Sequence, residues 1–424
     1  ELLAPLAQEL EDQGVKVLLI DKMDPKKESL EAAKTAISEK KIPFDWIVDS
    51  DLSVYQELGM HIIPTTFFLD STGQVRLCRA GTIQSEAELE ALLDYTKNGG
   101  AAGTESFLRE HLLNSEGGVR MHVWESSAQS PSGRDVLAES QGLLMEYAAE
   151  THDRALFSQV YGYAKAHLDR QGLLAWYASS EETGNVNALL DDLRVLKSLN
   201  AMGGYDQDIM SRAIAIAAGN RDEKGNLVDF YSFADGGRAS RLTMCYCDWQ
   251  ALEIIRPLVP GFGDSLEAAE EILEGAYLGD DFPFYANFYD YETKTYDDSS
   301  LNMAEAMLTL LHQAQAGQLK DASLGWLQAR MAGDGIYARY DIHGNVVSGG
   351  DYESAAIYAI VGLIALEEED DLLLTQAVSR MEAFRCFAAG DPLNGAFADS
   401  LADVNAFDQC LALILYAGMD SQET

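Results

Sequence analysis

The stretch GLLAWYASSEETGNVNALLDDLRVLKSL, residues 172–199, reads in two halves. The first is extended and aromatic, and ends in polar and small residues. The second sets Leu189, Leu190, Leu193, Leu196 and Leu199 at helical spacing. The alternation recurs. GNLVDFYSFADGG (225–237), FPFYANFYDYETKTYDDSS (282–300), GIYARYDIHGNVVSGGDYES (335–354) and GAFADSLADVNAF (395–407) each separate amphipathic stretches. The periodicity predicts helices over 104–114, 135–149, 153–169, 187–202, 206–218, 246–257, 264–276, 299–316, 319–332, 352–367, 370–386 and 403–417. Every second one starts near 135, 187, 246, 299, 352 and 403, a period of about 50 to 60 residues that signals a repeat architecture. Six helical hairpins with aromatic loops gathered at one end predict an all-α (α/α)6 toroid. Its inner helices would start around a central cleft.

The first hundred residues follow another pattern. Residues 1–13 form an amphipathic helix, VKVLLID (15–21) a buried strand, 29–40 a helix, 44–48 a strand and 52–58 a helix. TTFFLD (65–70), a turn at Ser71–Thr72–Gly73 and 75–78 read as a hairpin, and 85–95 as a closing helix. This order predicts a small α/β domain with a mixed sheet over 1–98. The small residues at 99–103 predict a linker, and 104–420 the toroid.

The chain has 424 residues, of which 30 are Lys or Arg and 69 Asp or Glu, giving a net charge of −39. That sign excludes a protein that tracks nucleic-acid phosphates and argues against docking on an anionic membrane face. No run is apolar and long enough to cross a bilayer. The cysteines are Cys78, Cys245, Cys247, Cys386 and Cys410, without a C-x-x-C and without histidines at ligand spacing, so no metal is expected. They read as single buried thiols. Cys245 and Cys247, on a strand, would share one face.

Two resemblances follow from these residues. ELGMHIIPTTFFLDSTGQVRLCRAGTIQSEAELEALL (57–93) resembles the second half of a thioredoxin-like domain of the membrane-anchored thiol–disulfide oxidoreductase type, with Pro64 matching its cis-proline. ELLAPLAQEL (1–10) is similar to the helix after that family's C-x-x-C, with Glu1 and Pro5 in frame. The first strand and the dithiol are missing from this chain, and a truncation upstream is the expectation. The resemblance implies an extracytoplasmic location, anchored through the missing segment, and a redox partner. The unpaired cysteines pull mildly toward the cytoplasm.

AESQGLLM (138–145) resembles the segment of glycoside hydrolase family 8 that opens an inner helix with the general acid. Glu139 aligns with that acid, and Gly142 and Met145 also match. In 172–199, Gly172, Leu173, Ala175, Trp176, Asp192 and Leu193 fit the family's next motif. Leu190 and Arg194 stand where that motif carries its first and its last aspartate. The resemblance therefore implies a sugar-contacting role for Asp192, or for Asp191 with a one-residue shift. YDDSSLN (296–302) lies in the hairpin that holds the family's base, which makes Asp297 the first candidate and Asp298 the second. Asp351 and Glu353 also stand at an inner helix start. Trp176, Tyr177, Tyr285, Tyr289 and Tyr340 would stack on sugars. The implied chemistry is inverting hydrolysis of a β-linked polysaccharide or oligosaccharide without a cofactor. Two other readings stand beside it: a non-catalytic glycan-binding or scaffold protein on the same toroid, and an oxidoreductase whose dithiol lies outside this chain.

Overall fold

The computed structural model describes residues 2–24, 26–60, 62–97, 100–123, 135–387, 392–398 and 404–421. Glu1, the linker residues Asn98 and Gly99, and the expected helix start at 403 lie outside them. The first part contains α1 (Ala7–Asp12), β1 (Leu18–Lys22), α2 (Leu30–Glu39), β2 (Asp45–Asp49), α3 (Ser53–Glu57), β3 (Thr65–Leu69), β4 (Val75–Ala80) and α4 (Glu86–Lys97). The rest contains α5 (Ala102–Phe107), α6 (Ala138–Glu150), α7 (Arg154–Tyr163), α8 (Leu189–Met202), α9 (Asp206–Gly219), α10 (Trp249–Ile255), α11 (Phe262–Gly275), α12 (Met303–Gln315), α13 (Asp321–Ala332), α14 (Ala355–Glu367), α15 (Asp371–Glu382) and α16 (Ala406–Ser421). The expected helices over 104–114 and 153–169 each finish in a π-helical turn, Leu108–Leu112 and Ala164–Leu168.

The inner helices close a ring, each packing on the next: α6 on α8, α8 on α10, α10 on α12, α12 on α14, α14 on α16, and α16 back on α6. Their composition explains this. α14, AAIYAIVGLIALE, is apolar almost all round and buried along most of its length. Outer helices such as α11 and α7 bury one face.

One backbone device sets the rim. The residue at the start of an inner helix donates its N–H to a carbonyl of a neighbouring repeat's loop. Ala138 donates to Trp176 (2.9 Å), Leu189 to Asp229 (2.8 Å), Met303 to Ala338 (3.0 Å) and Ala406 to Met121 (2.8 Å). Met244, in the turn before α10, donates likewise to Asn287 (2.9 Å). These donors belong to the first turns of helices or lie just ahead of them, where an N–H lacks a partner within its own helix. The loops thus satisfy the orphan groups and fix the height of each helix start.

Three expectations are corrected. β1 pairs in parallel with β2, and β3 pairs antiparallel with β4. Among the described residues these are two separate two-stranded ladders and not one mixed sheet. Leu18, Ile20 and Ile47 are exposed on the first pair. The Ile63–Pro64 peptide is cis. Secondly, Ala102 and Gly103 already belong to α5. The joint is close-packed: a Cβ on Gly100 would lie 2.7 Å from the Arg76 carbonyl and from the Tyr416 ring, and φ there is +83°. Thirdly, Cys245 lies in a 3-10 turn, Met244–Tyr246, and not on a strand.

β4 lies against α15. Arg76 is buried there, with Nε 2.6 Å from Asp70 and Nη1 2.8 Å from Asp420 on α16. Cys78 Sγ is 3.3 Å from Ser379 Oγ. Nearby, Arg385 is fully buried and donates to Glu382 (2.6 and 2.8 Å) and to Thr104 (2.7 Å). The Arg76–Asp420 and Cys78–Ser379 contacts join the small part to the ring, and the Arg385 contacts tie α5 to the end of α15, so the buried polar groups are satisfied. A small apolar core of Leu10, Phe68, Leu77, Leu89 and Leu92 stands apart from the large core of the ring.

Candidate active site

Glu139 is the second residue of α6, immediately after a short strand, Val136–Leu137, that pairs with Tyr177–Ala178. This ladder holds the helix start and the aromatic loop at one level of the rim. The Glu139 side chain keeps 36 % of its surface open. The protein around it still raises its carboxyl above the ordinary range, against the opposing pull of Arg194.

Its nearest charged neighbour is Arg194 on α8, with Nη1 3.8 Å from Glu139 Oε2. The same nitrogen donates to Asp191 Oδ1 at 3.1 Å. Asp191 and Arg194 lie three apart on α8, so they share a face, and that face is turned to α6. Burial raises the Asp191 carboxyl to about 7, opposed by Arg194 and reinforced by the charges of Glu139 and Asp192. Glu305, in the first turn of α12, is also raised, by burial and then by the charge of Glu139. Carboxyls raised above their ordinary range at inner helix starts suit proton transfer. Glu305 escaped the sequence reading, and so did the Asp191–Arg194 pair as a unit.

Asp192 corrects an expectation. It is fully buried, with Oδ1 accepting from Leu174 N (2.8 Å) and Oδ2 from Asn187 Nδ2 (2.8 Å). Burial raises it to about 7, against Asn187 and Arg212. It is the fourth residue of its helix. The fourth residues of α6 and α16 are Gln141 and Gln409, also fully buried, which accept from Val119 N (3.0 Å) and Phe397 N (2.8 Å). The three are equivalent pegs that tie a loop to an inner helix, and Asp192 does not face the cleft. Leu190 is buried beside it.

Asp297 precedes α12 and accepts from Asn287 Nδ2 at 2.6 Å and from the Ser299 hydroxyl. Asp298 is exposed. The aromatics divide. Tyr340 is buried among Phe282, Trp326 and Tyr337, and its hydroxyl accepts from Tyr337 N (3.1 Å). Tyr285 is buried against Tyr277, and Tyr177 is buried with its hydroxyl donating to Glu182 (2.7 Å). These three are packing residues, which corrects their assignment to sugar stacking. Trp176 and Tyr289 are half-buried and keep ring surface free. Glu353 is held by the Tyr358 hydroxyl and lies 3.6 Å from Arg380, while Asp351 is exposed. Among the described residues no cluster of His, Cys, Asp and Glu could hold a metal ion, and none of the five cysteines forms a disulfide.

No family profile matches the chain. Over 323 residues it is 24 % identical to the "Putative lipoprotein YdaJ" of Bacillus subtilis (strain 168), spanning 73 % of this chain and 84 % of that protein. Among solved structures, an α-amylase from Clostridium perfringens superposes with a TM-score of 0.69 at 23 % identity, over 75 % of this chain and 97 % of that one. A glycoside hydrolase family 8 endo-β-1,4-glucanase from an Achatina fulica gut metagenomic library superposes with a TM-score of 0.51 at 12 % identity, over 75 % and 97 %. At these identities the shared property is the fold. Three quarters of the chain form an (α/α)6 toroid of the kind found in glycoside hydrolases.

Proposed function

We propose that the protein is an inverting glycoside hydrolase acting on a β-linked polysaccharide, with Glu139 as the general acid. The observation that carries this reading is the setting of Glu139: first turn of an inner helix, side chain 36 % exposed, with its carboxyl raised above the ordinary range. In the proposed step Glu139 gives its proton to the glycosidic oxygen as the bond to the anomeric carbon breaks. A second carboxylate takes a proton from the water that attacks the opposite face. For an inverting pair the carboxyls stand about 6.5–9.5 Å apart. Asp297 is the first candidate for this base, Asp298 the second, and Glu305 joins them because the Glu139 charge reaches it. Trp176 and Tyr289 would supply stacking surface.

An extracytoplasmic location follows as part of the same proposal, supported by the lipoprotein name of the Bacillus relative. No helix among the described residues is long and apolar enough to cross a membrane.

The test is a panel of β-glucans, amino-sugar polymers and, because one structural neighbour is named an α-amylase, α-glucans. Product anomers are read by proton NMR. Wild type should release the inverted anomer, and Glu139→Gln should lose about 10²–10⁴-fold in rate. Full activity in Glu139→Gln would sink the assignment. A second reading, a non-catalytic glycan-binding protein, is favoured by the buried Leu190 where family 8 carries a carboxylate. It would show as glycan binding by wild type without product.

A further inference from the structure

Arg194 is the feature of the cleft that the hydrolytic reading leaves without a task. Its side chain is 4 % exposed, in the wall between α6 and α8. Nη1 reaches Asp191 at 3.1 Å and Glu139 at 3.8 Å. Nη2 is buried and has no hydrogen-bond partner. Beside it is a cavity of about 40 Å³, lined by the polar residues Arg194, Glu146, Lys197, Asp248, His312 and Gln315 and by apolar side chains. A polar space of that size is large enough for a water molecule. The close approach of the two helices depends on Gly142: a Cβ there would lie 3.1 Å from Arg194 Cβ. The guanidinium is therefore held by Asp191 on one side and by packing against α6 on the other.

We propose that Arg194 is a positioning residue, which aims the Glu139 carboxyl into the cleft and stabilises the carboxylate left after Glu139 has given up its proton. The inference rests on Glu139 being the acid. A closed, bidentate ion pair would keep Glu139 ionised and useless as a donor. At 3.8 Å the guanidinium attracts the carboxyl without a closed hydrogen bond, which opposes protonation less than a bidentate pair would. As the glycosidic bond breaks, its electron pair goes to the leaving oxygen, which takes the Glu139 proton. Negative charge then grows on Glu139 beside a fixed cation in a partly desolvated wall, an interaction stronger in the transition state than before it. Asp191 anchors the cation and offsets its charge.

The charged and titratable groups that bear on Glu139 are Arg194 and Asp191 of α8, Glu305 of α12 and Cys410 of α16. Those that bear on Arg194 include Glu139, Asp191, Glu146 and Cys245, with Tyr246 and His312 also within its reach. Of these Arg194 is the one cation, so its removal moves Glu139 in one direction, upward.

The experiment titrates Glu139 in the unliganded protein by carbon-13 NMR of labelled glutamate, assigned with Glu139→Gln. In Arg194→Met the Glu139 titration should rise by about one to three units. In Arg194→Lys, which keeps a cation but loses the fork, it should stay near wild type. On a substrate found in the glycan panel, Arg194→Met should lose kcat and show an alkaline limb moved up by the same amount. Arg194→Lys should lose kcat with the limb unmoved. A folded Arg194→Met whose Glu139 titrates as in wild type overturns the proposal. So does wild-type kcat in both variants. Should Arg194→Met fail to fold, Arg194→Gln carries the same reading. The titration needs no substrate: a shifted Glu139 in a protein that hydrolyses nothing refutes the hydrolase and leaves the Arg194–Glu139 coupling standing.

Discussion

Arg194 and Lys197 lie one turn apart on α8, each a buried cation facing carboxylates, and the two settings differ. Around Arg194 the carboxyls are undercompensated: Asp191 is pushed up to about 7, and Glu139 is raised. Around Lys197 the charges are matched. Its ammonium lies 3.2 Å from Glu146 and 3.1 Å from Asp248. Burial raises Asp248, yet Lys197 and His312 outweigh it and hold it at about 2. The upper cluster is partly open and its carboxyls are shifted toward their neutral forms. In the lower one Lys197 and Asp248 hold each other charged. A raised acid at a helix start is the mark of chemistry, and a compensated pair below it is the mark of support.

The largest effect should come from breaking the lower cluster. Lys197→Met leaves Asp248 charged, buried and without its main counter-ion, and should cost about 3–5 kcal/mol of stability. Arg194→Met should cost less, because Asp191 and Glu139 are already shifted toward their neutral forms and can neutralise. Urea unfolding of both variants at pH 6 checks the order. Equal costs would erase the distinction between the two clusters.

Acid should then separate them by sign. His312 is fully buried, and burial, opposed by Asp248, lowers it to about 4 from the usual value near 6.5. Its depressed value means stability that is present above about 6.5 and lost as pH falls toward 4. Asp191 runs the other way: raised to about 7, it favours folding most below its unfolded value and loses that advantage as pH rises toward 7. Melting of His312→Gln should therefore fall less on acidification than wild type, by on the order of 2 kcal/mol between pH 6.5 and 4. Asp191→Asn should fall more. The same slope in all three proteins would refute the assignment of opposite signs.

The contrast also shows what the sequence made legible. The ring was readable because its inner helices are buried along most of their length, α14 apolar almost all round, and recur at a steady period, so pattern and burial agree. Glu139 was readable because a short motif surrounds it. The Asp191–Arg194 pair was hidden by matching positions 190–194 one by one to a motif, whereas the i, i+3 relation on the helix is what turns both residues toward Gly142. Tyr285 and Tyr340 looked like sugar platforms since aromatic loops flank a cleft, but each sits in a short extended segment where a neighbouring ring covers it. The mixed sheet failed for a different reason: hydrophobic runs identify strands, but not which strands pair.

The smallest effect, and the sharpest on the reading of the second motif, belongs to Asp192. As a peg it needs an acceptor for Leu174 N, which Asn supplies. The other oxygen becomes a donor facing Asn187 Nδ2, and that nitrogen already donates to Asn220 Oδ1 at 2.9 Å. Asp192→Asn should cost about 1–2 kcal/mol of stability through this mismatch and leave KM for the glycan unchanged. Gln141→Ala and Gln409→Ala, which remove the equivalent pegs, should be destabilised in the same manner with unchanged KM. A rise in KM confined to Asp192→Asn would restore the sugar-contacting role and break the equivalence of the three positions.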